Sequence, residues 1–380
     1  MAQDVKQAAL DLHEDLRGKI RIEPTCKIET KEDLTLVYSP GVGAVALEIA
    51  ANPSTVDKYT WRKNTVAIVS DGSAVLGFGD IGPLAVLPVL EGKSAIFKRF
   101  SGIDAIPIVI DTQDVDEFVD TVAHIAKSFG AIQMEDVSAP RCFEIERKLM
   151  ERLEMPVMHD DQHGTAIVAL AGLINALKVV GKSMESIRVV LNGAGAAGIA
   201  IARILVDAGV RDIVMCDRTG AIYEGRDGLN DEKKEVAAFT NREIRSGSLA
   251  EVVVGADVLI GVSAAGAFTV DIVKSMAEKP IVFALANPVP EIDPETAKAA
   301  GVVVLATGRS DYANQVNNAL CYPGLFRGML DSDVKKVTTE IKLRAAKAIA
   351  ESVKNPTADE IIPSIFHPGL HELVAASIEG

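Results

Sequence analysis

The chain has 380 residues, 48% of them hydrophobic and 24% charged, with a formal net charge of −14. That length predicts two domains rather than one core, and the even spread of Gly and Pro leaves no low-complexity tail. An acidic chain without a Lys/Arg-rich run excludes nucleic acid or an anionic membrane as its main partner. A bound anion must therefore be met by a metal ion, a lysine or a helix N-terminus.

The opening stretch, MAQDVKQAALDLHEDLRGKI, is acidic throughout and lacks the apolar segment of a signal peptide. No uninterrupted apolar run is expected to span a bilayer. Cys26, Cys142, Cys216 and Cys321 stand far apart without a CxxC pair, the pattern of reduced thiols in a cytoplasmic protein.

Short β-branched runs then alternate with helical ones: TVAIVSDG, a helical segment from Pro83 to Phe100, AIPIVIDT, a helix near Val115 to Phe129, and AIQMEDV. Strands separated by helix-length segments imply parallel pairing through crossovers. After VMHDDQHGTA, the apolar stretch from His163 to Val180 reads as a buried connecting helix. RVVLNG, DIVMCD, DVLIGV, PIVFALANP and GVVVLATG follow as five nearly continuous apolar strands, the pattern of a parallel sheet covered on both faces. The tail turns helical again, clearest over Val334 to Val353 and more briefly in PSIFHPGLHELVAASI, and is expected to pack on the dinucleotide domain or a partner subunit. The fold class is thus α/β, with an N-terminal α/β domain at 1–160 and a C-terminal, Rossmann-like doubly wound parallel sheet at 161–380.

In RVVLNGAGAAG a GxGxxG motif lies between a strand and a helix. Gly193 permits the tight turn, Gly195 lets a pyrophosphate approach the backbone, and Gly198 lets helix and strand pack closely. With Ala194, Ala196 and Ala197 they form the phosphate loop. Asp217, ending the next strand, is placed to accept hydrogen bonds from the ribose hydroxyls of NAD; the neighbouring Arg218 could instead pair with the 2′-phosphate of NADP, so the choice stays open.

Glu135 and Asp136 end one strand, and Asp160 and Asp161 stand at the end of the next. Carboxylates converging there repel and raise one another's pKa unless a divalent cation relieves them, and an all-oxygen set suits Mg²⁺ or Mn²⁺. His159 and His163 leave zinc as an alternative, and helix capping or solvation leaves a purely structural one.

The runs YSPGVG (38–43), LGFGDIGPLAVLPVLEGK (76–93), MED (134–136), HDDQHGTA (159–166), ALANP (284–288) and NQVNNALCYPG (314–324) resemble, in order, the signatures of the malic enzyme family, in its small bacterial or archaeal form. The resemblance implies oxidative decarboxylation of malate to pyruvate and CO2 with reduction of NAD or NADP. It implies Glu135, Asp136 and Asp161 as metal ligands, Asp160 as a site residue beside the metal, Lys93 as general base and Tyr38 as general acid. Asn287 and Asn318 line the substrate and nicotinamide pocket, and the chain forms a homodimer or larger assembly. As a base Lys93 must be neutral, so its pKa is expected to be depressed by burial and the adjacent cation. One departure stands out: longer members carry a carboxylate-clamping arginine before LGxGD, where this chain has Ala74. The backbone N–H groups around Gly72 and Ser73, or Arg141, are the candidate replacements. Malolactic chemistry with recycled NAD, decarboxylation of oxaloacetate alone, and a catalytically silent nucleotide sensor are the competing readings.

Overall fold

The computed structural model describes residues 2–379; Met1 and Gly380, the outer ends of the two expected domains, lie outside the described residues. The chain opens with an arm of four helices, α1 (Ala2–Leu16), α2 (Lys31–Val37), α3 (Gly41–Ala51) and α4 (Val56–Tyr59). Helix α2 starts at a capping box, in which Thr30 accepts from the Asp33 N–H and Asp33 accepts from the Thr30 N–H. None of α2, α3 and α4 buries a residue, and Leu34, Leu36, Val42 and Leu47 are all exposed.

Next come β1 (Thr65–Ser70), α5 (Pro83–Ser101), β2 (Asp104–Val109), α6 (Val115–Ile125), β3 (Ala131–Met134), α7 (Arg141–Arg152) and β4 (Val157–His159). The four strands form one parallel sheet in the order β2-β1-β3-β4. Successive strand residues face opposite sides, so Val66 and Ile68 of β1 join a core with Val86, Leu90 and Phe97 of α5, while Ala67 and Val69 pack with Phe118 of α6 and Ile145 of α7. The expected helix to Phe129 stops at Ile125 and gives way to a single 3-10 turn.

Helix α8 (Asp160–Val180) leaves β4 with no intervening loop and is buried along most of its 21 residues. It leads to β5 (Arg188–Asn192), α9 (Ala196–Asp207), β6 (Asp212–Asp217), β7 (Gly220–Ala221), α10 (Asp231–Phe239), α11 (Leu249–Val252), β8 (Val258–Gly261), α12 (Val270–Lys274), β9 (Ile281–Ala284), α13 (Pro294–Ala299) and β10 (Val304–Thr307). The second sheet runs β10-β9-β8-β5-β6-β7 and is parallel except for the short edge strand β7. Connections leave β5 in opposite directions toward β6 and β8, which opens the crevice between β5 and β8 where such sheets bind dinucleotides.

Two segments, Lys31–Ala51 and Asp160–Val180, match a membrane span by length and composition alone, but the first is broken between α2 and α3 and the second is mostly buried. For the second, the apolarity serves the core, since Ile167, Leu170, Leu173 and Leu177 pack between the two sheets, each contributing about 1.5–3 kcal/mol on burial.

Part of the tail departs from expectation. Helix α14 (Tyr322–Asp331) docks on α5 of the first sheet, with the rings of Tyr322 and Phe326 4.8 and 5.5 Å from Phe97. The aromatic surface of α5 draws it there. Helix α15 (Thr339–Ser352) begins five residues later than the sequence suggested because Thr338 caps it, and Asn175 of α8 ties its end through a 2.8 Å bond to the Ala350 carbonyl. Helix α16 (Leu370–Glu379) crosses α14 at Gly324 and Gly328, where a Cβ would lie 2.5 Å from the carbonyls of His371 and Ala375.

Candidate active site

The carboxylates meet where β3 ends and α8 begins. Asp136 adopts φ 52°, a left-handed conformation that turns the chain so that Glu135 and Asp136 can both face the cleft. The Asp136 N–H donates to Asp161 Oδ2 at 2.8 Å, pinning the first turn of α8 to the end of β3. Ligand atoms of Glu135, Asp136 and Asp161 lie within 4.8 Å of one another. Burial, then the neighbouring negative charges, pushes Glu135 well up and Asp136 to about 7. Asp136 Oδ2 is buried without a hydrogen-bond partner. An orphaned buried oxygen within a cluster of three carboxylates fits a hard divalent cation such as Mg²⁺ or Mn²⁺.

The histidines do not join that cluster. His159 Nε2 meets Asp161 Oδ2 at 3.0 Å from outside it, and His163 Nε2 meets Glu146 at 3.0 Å, so the zinc alternative loses its nitrogen donors. Burial alone would raise Asp161, but the His159 hydrogen bond and charge outweigh it and hold its pKa low. Burial would likewise raise Glu146, yet His163 and His159 bring it down to about 2.

Lys93 projects from α5 into the same space. Its ammonium pairs with Glu135 Oε1 at 2.9 Å and with Asp160 Oδ2, and lies 4.7 Å from the centre of the Tyr322 ring. Burial beside a cation was expected to depress the Lys93 pKa. Burial does press downward, but Asp160 and Glu135 overcome it and, with no cation present, raise the pKa well above the ordinary lysine value. Asp160 is wholly buried. Gly164 makes room for it, since a Cβ there would sit 2.0 Å from Asp160 Oδ1 and 3.0 Å from Asn318 Cβ.

A cleft of about 870 Å³ joins this cluster to the dinucleotide loop; its walls include Lys93, Glu135, Asp161, Gly195, Asn287 and Asn318. The loop glycines each meet a distinct demand. Gly193 has φ 123°, and a Cβ there would lie 2.5 Å from the Val262 carbonyl; a Cβ on Gly198 would lie 1.9 Å from the Gly193 carbonyl; nothing stands within 4 Å of a Cβ on Gly195. Ala196 and Ala197 also line the cleft, while Ala194 packs against the core. Helix α9 has no side-chain N-cap, so its first-turn N–H groups face the open side as a phosphate site would require.

At the end of β6, Asp217 accepts from Arg226 at 2.5 Å and Lys233 at 2.7 Å, and burial is outweighed by these bonds, which hold its pKa far down. The cations beside it are thus Arg226 and Lys233, whereas Arg218 is exposed.

Two expectations fail within one chain. Tyr38 is 68% exposed and does not line the cleft. Both replacements for the missing arginine are already engaged: the Gly72 N–H donates to Ser70 Oγ, the Ser73 N–H to Asp71 Oδ1, and Arg141 pairs with Asp71 at 2.9 Å outside the cleft lining. Sequence reasoning also passed over three residues. Tyr322 lay inside a quoted motif but carried no sign that its ring would meet Lys93. Glu291 accepts from the Ser263 and Ala286 N–H groups, both at 2.9 Å, and so ties the ends of β8 and β9 behind the cofactor crevice. Lys19 reads as one more surface charge, with no signal in its neighbours.

Against known families, residues 17–150 match the profile "Malic enzyme, N-terminal domain" and residues 162–379 the profile "Malic enzyme, NAD binding domain". The chain is 52% identical to the bifunctional malic/malolactic enzyme of Bacillus subtilis, over 98% of this chain and 92% of that one. It is 54% identical to the NAD-dependent malic enzyme of Geobacillus stearothermophilus, over 95% and 76%. A crystal structure of the NAD-dependent malic enzyme from Thermotoga maritima superposes with a TM-score of 0.95 at 45% identity, covering 98% of this chain and 99% of that one. The chain belongs to the malic enzyme family.

Proposed function

We propose that the protein oxidises malate at C2 with NAD or NADP and decarboxylates the product to pyruvate and CO2. The observation that carries this reading is the junction in one cleft of Lys93, the Glu135/Asp136/Asp161 cluster and the Gly193–Gly198 loop. A Mg²⁺ or Mn²⁺ ion held by those three carboxylates would supply Lewis-acid polarisation of the C2 oxygen. Were the charge of Glu135 engaged in holding such an ion, Lys93 would keep only Asp160 and the Tyr322 ring as partners. Its buried ammonium then gives up a proton more readily and can take the one on the C2 hydroxyl. Asp160 aims Lys93, and Asn287 and Asn318 bracket the reacting carbons from the second half of the chain. We divide the chain at 160/161, a boundary that places the ligands on both sides of the β4–α8 junction.

Tyr38 is then the acid that protonates C3, supplied to the cleft by a second copy of the chain. The exposed apolar faces of α2 and α3, on either side of Tyr38, support an arm that covers a partner subunit. Exposed Leu76, Phe78 and Leu84, in and just after the loop that borders the cleft, offer it a landing surface. Asp217 favours NAD, although Arg226 and Lys233 beside it leave charge for a 2′-phosphate. Four unpaired cysteines support a cytoplasmic location. The Bacillus subtilis relative, named as bifunctional, favours malolactic turnover as a second activity. Cofactor reduction and pyruvate, measured together with malate and Mn²⁺, test the reading: equal amounts, lost with chelator, are expected. Lactate formed without net reduced cofactor would favour the malolactic reading, and no turnover would overturn both.

A further inference from the structure

A four-carbon dicarboxylate in this cleft leaves one carboxylate remote from the Glu135/Asp136/Asp161 cluster, and that group needs a cation. The N–H groups of Gly72, Ser73, Ala74 and Val75 are all spent, the last two on the Asp136 and Gly79 carbonyls, and Arg141 is tied to Asp71, Ser73 and the Gln113 carbonyl. Of the lysines and arginines, the cleft lining includes Lys93 and Lys19. Lys93 is already paired with Glu135 and Asp160.

Lys19 follows Gly18, whose φ of 115° turns the chain after α1 back toward α5. Its backbone N–H donates to Glu91 Oε2 at 3.0 Å and its Nζ to the Pro88 carbonyl at 2.7 Å. The ammonium thus lies along the α5 face that carries Pro88, Val89, Gly92 and Lys93 into the cleft. Gly92 lies directly beneath it, with a Cβ position 3.5 Å from Nζ, an ordinary van der Waals contact. Glu91 accepts from the Lys19 backbone N–H and its charge also favours the ammonium, but no hydrogen bond joins it to Nζ. An ammonium has three donors; one is on Pro88 and two remain for the cleft.

We infer that Lys19 receives the substrate carboxylate remote from the metal-ligand cluster, in place of the arginine that Ala74 replaces; this rests on the malate reading above. The contact holds the substrate equally before and during hydride transfer at C2, so it acts on KM more than on kcat.

The test uses the full-length enzyme with Mn²⁺ and compares Lys19→Ala and Lys19→Arg with the unmodified protein. Titration calorimetry measures oxalate, whose two carboxylates can both be taken up in chelating a metal, and tartronate, whose hydroxyl and one carboxylate can chelate while the other carboxylate is left free. Lys19→Ala is expected to weaken tartronate and raise the malate KM by about 10–100-fold, the worth of one charge-assisted hydrogen bond. Oxalate affinity, the NAD KM and kcat should stay within about twofold, and Lys19→Arg should recover most of the loss. Unchanged tartronate binding in Lys19→Ala, or equal weakening of oxalate and tartronate, would overturn the inference. Because calorimetry needs no turnover, failure of the unmodified enzyme to oxidise malate would count against the parent reading alone.

Discussion

The cleft and the arm are built on opposite terms. Around Lys93 the chain buries Glu135, Asp136 and Asp160 almost completely and offsets that cost with ion pairs and backbone donors. Along α2 and α3 it leaves Leu36, Val37 and Leu47 in water with no buried residue at all. A single chain therefore holds a buried charged cluster and an uncovered apolar surface, and Tyr38, the expected general acid, is carried on that surface. Under the proposed function the two irregularities would share one explanation, a second copy that covers the arm and receives its tyrosine.

The largest effect should come from Lys93→Ala, which removes the base and leaves the carboxylates uncompensated; turnover should fall by roughly 10²–10⁴-fold while circular dichroism shows an intact fold. Leu36→Asp with Leu47→Asp breaks the comparison from the other side. If the arm covers a partner, sedimentation should show dissociation and activity should fall with it, although neither residue lines the cleft. Gly198→Val would force a side chain against the Gly193 carbonyl. It should raise the NAD KM by at least ~10-fold, as expected when a phosphate loop is displaced, without changing the oligomer.

The smallest effect sharpens the electrostatic half of the contrast. His163 and His159 outweigh burial and bring Glu146 down to about 2 from the ordinary glutamate value of 4.5, so the unfolded chain binds its proton first as pH falls. Its stabilisation is complete above the unfolded value and is lost as pH drops toward 2. Glu146→Gln should therefore cost about 3 kcal/mol near neutrality and flatten the acid limb of thermal unfolding measured against pH.

Much of the cleft was legible because its signals are local. The turn at Gly193–Gly198 needs glycines at fixed spacing, and HDDQHGTA and MED each place carboxylates where a strand ends. What was not legible depends on contacts remote in sequence. Lys93 was expected to be depressed by burial and an adjacent cation, and its pairing with Asp160, 67 residues away, had no signal in the sequence. Phe97 captures α14 from the far end of the chain. Glu291 gains meaning only once Ser263 and Ala286 are brought to it. The arm was the least legible region, since nothing in α2 and α3 themselves says what would cover their exposed apolar residues.

Subunit mixing tests the central claim most directly. Lys93→Ala and Tyr38→Phe proteins, each nearly inactive alone, are unfolded together, refolded as a mixture and assayed with malate, Mn²⁺ and NAD. If Tyr38 acts in the cleft of the other subunit, hybrid dimers pair a doubly damaged site with an intact one, and the mixture should recover a substantial share of unmodified activity. A mixture no more active than its two components, with hybrids demonstrated by mass spectrometry, would place Tyr38 and Lys93 in one subunit's site or Tyr38 outside the chemistry, and would contradict the account.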